Sequence, residues 1–471
     1  MNPATPTRRG RPSASRPEPP RRSGPTRARL VALRVLERVE RGGAYGDRAL
    51  HAELGRSRLS HRDRALVTEL VQGTLRFRGR LDYLLAQATQ RNLRTLQARV
   101  VTLLRLGAYQ IVFTGAIPAR AAVDESVRCA RAVGLERATG LVNAALRRLV
   151  DEHASISFPD LGRDPEGHLV HALSLPPWIA ERWLELFGPE EAAALAGASN
   201  VVPPVCVRAN RMRVDREALL SELRPRHPQA MIGRLASDAI VLGRRGAPGR
   251  DPGFLAGRFT IQDEASQLVV EVLAPRPGER ILDVCAAPGT KATALAERVG
   301  KAGEVLALDK SRSRLDQVAR DARRLGLPHL RVRQADASQP LRLGAHFFDR
   351  VLVDAPCSGL GTLRRHPDLR WRVRPEDPKR LSAIQQRILE RAAAWLRPGG
   401  TLVYSTCTVL PEENEGVVEA FLAQQRDFRL VPADELPEGL RPLARGPGYV
   451  HTLPHRHDVD GFFIARLERL P

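Results

Sequence analysis

From about residue 259 to the C-terminus, short apolar runs alternate with amphipathic stretches, and no other feature restricts the fold of this chain as much. RILDVCA, EVLALD, LRVRQAD, DRVLVDAP, TLVYSTC and GFFIARL have the length and β-branched content of buried strands. DEASQLVVEVLA precedes them, and TKATALAERVG, SRLDQVARDARRLG, LSAIQQRILERAAAWL and EGVVEAFLAQQ lie between them, each with apolar residues at helical spacing. Buried strands joined by helical crossovers imply a doubly wound, mostly parallel sheet, an α/β Rossmann-like domain over residues 258–471. Ligands of such sheets sit at the carboxyl ends of the strands.

The rest of the chain obeys other periods. Over residues 27–150, Leu96, Val100, Leu103, Gly107 and Ile111 share one helical face, and Leu81, Leu84 and Leu85 mark another. Gly42-Gly43, Gly79, Gly115 and Gly134 are read as breaks, so this part is an all-α bundle. A polar linker is expected over 151–172 and a small α+β subdomain over 173–257, from SLPPWIAERWLELFG, PPVCVRANRMRV, DREALLSEL and AIVLG. Residues 1–26, rich in Pro, Arg and Ser, are expected to be disordered, either a phosphate-seeking arm or a solvated tail.

Charge divides along the same line. The net charge is +21, and residues 1–150 hold 29 Arg against 11 acidic residues, leaving only +3 for the remainder. A basic module joined to a near-neutral one suggests that the first binds a polyanion and the second does chemistry. Arg76, Arg78, Arg80, Arg91, Arg94 and Arg99 are candidates for the basic face. Only four lysines occur, Lys291, Lys301, Lys310 and Lys379, so a retained Lys marks a place for a compact point charge. No apolar run approaches the roughly 18 residues of a membrane span, and no apolar segment follows the basic N-terminus as in a secretory signal. The five cysteines form no CxxC pair, which argues against a disulfide framework or metal site and for a reducing, cytoplasmic setting.

The strand ends carry the chemistry. The first ends in Asp283-Val284-Cys285-Ala286-Ala287-Pro288-Gly289-Thr290-Lys291, whose small residues let backbone approach a ligand. The second ends in Asp309, 20 residues after Gly289, the usual offset for a carboxylate that accepts ribose hydroxyls. The motifs of a P-loop or a dinucleotide fold, GxxxxGK[ST] and GxGxxG, are absent. The spacing supports a nucleoside ligand, against a tight turn with surface acids. Asp336, after the third strand, suits an adenine amino group. The fourth strand ends in Asp354-Ala-Pro-Cys357 and the fifth in Ser405-Thr-Cys407, so two cysteines face one cleft, either as reactive thiols or as small buried hydrophobes.

DAPCSGLGTLRRHPDLRW and YSTCTVLPEENE resemble the paired signatures of the RNA cytosine-C5 methyltransferases. With VRANRMRV, IQDEASQ, CAAPGTK, the terminal DGFF and the helical N-terminal part, nearly the whole chain after the first 26 residues resembles the bacterial Sun/Fmu type, which has a NusB-like domain and modifies small-subunit ribosomal RNA. The resemblance implies that Cys407 is the nucleophile, that Cys357 assists elimination and that Asp354 bonds the base near N3. It implies an S-adenosylmethionine site lined by Cys285, Ala286, Ala287, Pro288, Gly289, Thr290, Lys291, Asp309, Asp336 and Asp354, with Cys285 as a backbone contact. The implied partner is 16S rRNA, as naked RNA or an assembly intermediate, methylated by a monomer at cytosine 967. The rival readings are the same reaction on tRNA, or a non-catalytic assembly factor, which would have no reason to keep both thiols. Thr290 departs from the family's CAAPGGK; a β-branched residue at φ > 0 would cost about 1–3 kcal/mol, so φ < 0 is expected there. Cys129 and Cys206 read as core residues, and His451, His455 and His457 as solvated, with RNA contact open to them. His366 and Trp371 could hold the target base, or Trp371 could simply pack.

Overall fold

The computed structural model describes residues 25–244, 248–341, 343 and 348–471; the tail expected over 1–26 lies outside them except for its last two residues. Seven helices open the chain: α1 (Arg27–Gly42), α2 (Gly46–Arg56), α3 (His61–Arg76), α4 (Arg78–Thr89), α5 (Ala98–Phe113), α6 (Ala119–Ala132) and α7 (Thr139–Glu152). Ser60 begins α3 as a reciprocal cap, accepting the Asp63 N–H at 3.1 Å while its hydroxyl donates to the Asp63 carboxylate at 2.8 Å. Central α5 is buried from Val100 to Gln110. Its Gly107 admits Leu146 and Ser126, whose side chains a Cβ would meet at 2.6 and 2.8 Å.

One expected break is displaced. Gly79 lies inside α4, and the chain bends at Phe77 instead. Gly79 serves close approach: its N–H donates to Ser174 Oγ at 2.8 Å, and a Cβ would lie 2.8 Å from the Val170 carbonyl. The expected linker is also not plain loop, since it contains the short turns Pro165–Gly167 and His168–Ala172.

Strands β1 (Val205–Ala209), β2 (Met231–Ile232), β3 (Ala239–Gly243) and β4 (Phe259–Ile261) form a small antiparallel sheet in the order β2-β3-β1-β4. Val207, Ile240 and Leu242 bury one face of it against Leu219, Leu220 and Leu223 of the helix Arg216–Leu223. β4 lies beyond the boundary expected at 257, because Phe259 completes this core. The segment Pro177–Ser199, two helices broken at Gly188 (φ 74°), does not join it. Its apolar face (Ile179, Trp183, Leu195) packs on Leu360, Leu363 and Leu410, which belong to loops of the C-terminal domain.

That domain contains β5 (Arg280–Asp283), β6 (Glu304–Asp309), β7 (Leu330–Gln334), β8 (Phe348–Asp354), β9 (Leu396–Thr406), β10 (Phe428–Leu430), β11 (Ala444–Arg445), β12 (Tyr449–Thr452) and β13 (Phe462–Arg469). The order is β11-β12-β13-β9-β8-β5-β6-β7, with β10 on β13. β7 through β9 are parallel, and β13 runs antiparallel to β9. Apolar residues of β5, β6, β8 and β9 fill two cores, one on each face of the sheet, as both-sides burial of a doubly wound sheet requires. The strand order reverses at β5, which opens a crevice at its carboxyl end.

Candidate active site

The carboxyl ends of β5, β6, β8 and β9 meet at one sheet edge because these strands are parallel neighbours, with Asp283 opposite Leu352 and Asp354 opposite Ser405. β5 ends at Asp283, and a tight turn leads into the helix Thr290–Val299. The turn needs its positive φ at Gly289 (109°), where a Cβ would come within 3.0 Å of the Val318 side chain. Thr290 is the first residue of the helix and is not among the positive-φ residues, so a β-branched side chain fits there.

Asp309 ends β6, is 6% exposed, and accepts the N–H groups of Ala287 at 3.3 Å and Ser311 at 2.8 Å. Asp336, just past β7, is exposed; the hydroxyl (2.6 Å) and N–H (2.9 Å) of Ser338 hold its carboxyl below the usual range. Asp283, to which the sequence motif alone assigns no role, is the most deeply buried acid at these strand ends. It is fully buried, its Oδ1 accepts only a 3.4 Å contact from Cys285 N–H, and its Oδ2 has no partner among the described residues. Burial, reinforced by the charge of Asp354, pushes it up to about 8. An unpartnered buried acceptor beside a turn of small residues fits a ligand that brings its own N–H donors. The signal available in the sequence was its place as the last residue of the first strand.

Cys357 and Cys407 follow β8 and β9, and their Sγ atoms stand 3.4 Å apart. Cys407 N–H also donates to Cys357 Sγ at 3.4 Å, and both side chains are partly accessible. The bond to Cys407 and burial push the Cys357 thiol well above its usual range. Beside them Asp354 accepts from Lys291 Nζ at 2.7 Å and from Ser405 Oγ at 2.9 Å. Lys291, one of the four lysines, reaches Asp354 as a point charge and lies 5.0 Å above the Phe462 ring. Burial and the acids Asp283, Asp354 and Asp309 push the Cys285 thiol well up, which makes it a poor nucleophile. Cys129 and Cys206 are buried in the helical and C-terminal cores, 1% and 4% exposed.

The loop after Cys357 is clamped between domains. Arg364 and Arg365 bind Asp460 at 2.8 and 2.7 Å, and Arg365 also binds Asp263 at 2.5 Å. From the helical side, Arg76 donates to the Arg364 carbonyl at 2.7 Å, Gly46 N–H to Asp368 at 2.9 Å, and Asp47 meets His366 Nδ1 at 2.6 Å. Arg370 is 0% exposed and donates to the carbonyls of Arg76, Ser174 and Ser199. Burial lowers its guanidinium to about 9.

These contacts decide the open alternative for Trp371 and correct two expectations. Trp371 packs: its indole N–H donates to the Leu75 carbonyl at 2.7 Å, under the Arg78 guanidinium. Arg76, Arg78 and Arg80 therefore face the interior or the domain junction, while Arg91 and Arg94 remain exposed. His451, His455 and His457 are half-buried and not freely solvated, because Glu415 (3.1 Å), Glu191 (3.0 Å) and Leu453 N–H (2.9 Å) engage them.

Known proteins share this arrangement. The family model described as 16S rRNA methyltransferase RsmB/F matches residues 270–468, the NusB family model matches 26–151, and a ferredoxin-like domain of RsmF/B-like methyltransferases matches 175–247. The probable ribosomal RNA small subunit methyltransferase B of Bacillus subtilis (strain 168) is 37% identical over 94% of this chain and 99% of its own length. The ribosomal RNA small subunit methyltransferase B of Erwinia tasmaniensis is 36% identical over 94% and 98%. Among solved structures, PH0851 superposes with a TM-score of 0.78 at 25% identity, covering 94% of this chain and 99% of that one. A methyltransferase homolog from Pyrococcus horikoshii gives 0.56 at 30% identity, over 65% and 99%. Helical domain, small sheet and S-adenosylmethionine-dependent methyltransferase domain thus occur here in the same order and at nearly full length, and this chain belongs to the ribosomal RNA small subunit methyltransferase B family.

Proposed function

We propose that this chain, acting as a monomer, methylates carbon 5 of one cytosine in 16S rRNA, by resemblance cytosine 967, through a covalent bond between Cys407 Sγ and C6 of the base. The observation that carries the reading is the pair of thiols 3.4 Å apart at the ends of adjacent parallel strands, beside the Lys291–Asp354 pair. S-adenosylmethionine, when bound, supplies an electrophilic sulfonium methyl group. Asp309 would hold its ribose hydroxyls, the open acceptor of Asp283 would take an N–H donor of the same ligand, Asp336 would accept from the adenine amino group, and the backbone of residues 285–291 would line the cradle.

Carbon 5 of cytosine is a poor nucleophile. Addition of the Cys407 thiolate to C6 places electron density on C5, which would then displace the methyl group from the sulfonium sulfur and leave the donor as a neutral thioether. Asp354 hydrogen-bonds the ring near N3 and favours the protonated adduct. The C5 proton then passes to solvent water, its electron pair re-forms the C5–C6 double bond, and Cys407 leaves as a thiolate; the neighbouring Cys357 thiol assists this elimination by donating a hydrogen bond to the departing sulfur. Exposed arginines of the helical domain such as Arg91 and Arg94 supply salt-sensitive affinity for RNA, whether naked or in an assembly intermediate. Bisulfite sequencing of total RNA from a strain lacking the gene tests the reading. The expected outcome is loss of a single 5-methylcytosine in 16S rRNA; loss of a tRNA site instead would move the substrate to tRNA, and no loss would overturn the activity.

A further inference from the structure

Glu413 is 0% exposed, and the proposed chemistry gives it no part. It ends the short turn Pro411–Glu413 and reaches back between the two cysteine loops. Its Oε1 accepts Ser358 N–H at 2.9 Å and Gln385 Nε2 at 3.0 Å, and its Oε2 accepts Ser358 Oγ at 2.5 Å. Ser358 Oγ lies 2.7 Å from Thr408 Oγ1. Ser358 follows Cys357 and Thr408 follows Cys407, so one buried carboxylate ties together the residues next to both thiols. Tyr404 completes the frame by donating to the Glu413 carbonyl at 2.6 Å. Every donor to the carboxylate is neutral. Ser358 N–H and Gln385 Nε2–H converge on Oε1, an acceptor position that suits the carboxylate, while burial pushes the carboxyl above its usual range.

We propose that Glu413 is a positioning residue for the thiol pair: it pins the two cysteine loops at their 3.4 Å separation, and its negative charge keeps Cys357 as a thiol so that Cys407 supplies the nucleophile. The asymmetry follows from position, since the carboxylate accepts both the N–H and the hydroxyl of Ser358, next to Cys357, but meets only the hydroxyl of Thr408, next to Cys407. The charge of Glu413 is among the influences that raise the Cys357 thiol. The other titratable groups around the pair are Tyr404 of β9, Asp354 of β8, Lys291 at the start of its helix, and His366 in the loop after Cys357. A substitution at Glu413 leaves all four in place.

The inference rests on the reading that the two thiols act unequally, and its test needs neither RNA nor methyl donor. In the full-length protein, iodoacetamide alkylation of each cysteine is followed against pH by peptide mass spectrometry. In the unmutated protein the midpoint for Cys407 should lie below that for Cys357; the reverse order overturns the proposal even if every variant misfolds. Glu413→Gln preserves size but removes the charge. The Cys357 midpoint should fall by about one unit, a roughly tenfold rise in its alkylation rate at pH 8. An unchanged Cys357 profile in a Glu413→Gln protein that melts like its parent would overturn the electrostatic role. Covalent RNA adducts at Cys407 report separately on the proposed function, so failure of one reading can be told from failure of the other.

Discussion

In the proposed reaction the two thiols 3.4 Å apart have separate parts, and single substitutions test them. Cys407→Ala should abolish methylation and form no adduct, since no bond to C6 can be made. Cys357→Ala should carry the reaction through methyl transfer and stall before elimination. It should accumulate a protein–RNA species that survives a denaturing gel and requires both RNA and S-adenosylmethionine; the double mutant should form none. If the trapped species appears with Cys407→Ala instead, the roles are exchanged. Activity retained in both single mutants would leave the cysteines structural. At the same scale Asp283 and Glu413 show what burial does to acids, since both are pushed up when desolvation outweighs their bonds.

Among the elements, the turn between β5 and the helix Thr290–Val299 is the one whose backbone admits least change. At Gly289 a side chain meets two obstacles, φ of 109° and the Val318 side chain at 3.0 Å. Gly289→Ala should cost about 1–3 kcal/mol and weaken S-adenosylmethionine binding, read by calorimetry together with thermal melting. Wild-type affinity in that variant would remove the turn from the cofactor site. Thr290→Gly, which restores the family's double glycine, should give no gain in affinity and lose up to about 1 kcal/mol of stability, because Thr290 is already helical. Tighter binding in Thr290→Gly would show that the threonine is a compromise.

Across the whole molecule, the helical domain and the catalytic loop are joined through α2. Burial disfavours the His366 imidazolium, but the hydrogen bond and charge of Asp47 outweigh it and hold its pKa above the ordinary value. Burial likewise opposes ionisation of Asp47, and the His366 bond outweighs it and holds that carboxyl low. The pair therefore stabilises docking fully between about pH 4 and pH 6.5, the unperturbed values of the two groups. The His366 contribution is lost as pH rises through its raised pKa. The Asp47 contribution is lost as pH falls through its lowered pKa. Both side chains are 46% exposed, so solvent screening keeps the pair within about 1 kcal/mol. Asp47→Asn should lower the melting temperature slightly at pH 6 and leave it unchanged near pH 9. An equal loss at both pH values would mean that the contact is not electrostatic. No helix among the described residues is long and apolar enough to cross a membrane.

Local pattern determined much by itself. Period-2 and period-3.6 apolar spacing marked the parallel strands and crossover helices, and EVLALD is β6 from first residue to last. Strand-end residues are chemically conspicuous in sequence, so Cys357, Cys407, Asp354 and the 285–291 turn could be read before any contact was known. The tertiary structure decided what depends on distance through space. Asp47 and His366 are 319 residues apart in the chain, and no periodicity links them. Trp371 could equally have held a base or packed, and Arg76 looked like part of a basic face, until the docking of α3 on the loop after Cys357 gave Trp371 the Leu75 carbonyl and Arg76 the Arg364 carbonyl. β10, β11 and β12 are too short to show a period; β10 and β12 form by pairing with β13, and β11 by pairing with β12. Asp283 and Glu413 are ordinary acids in sequence; their chemistry comes from the complete burial that only packing can impose, because desolvation is a property of the assembled core and not of neighbours along the chain.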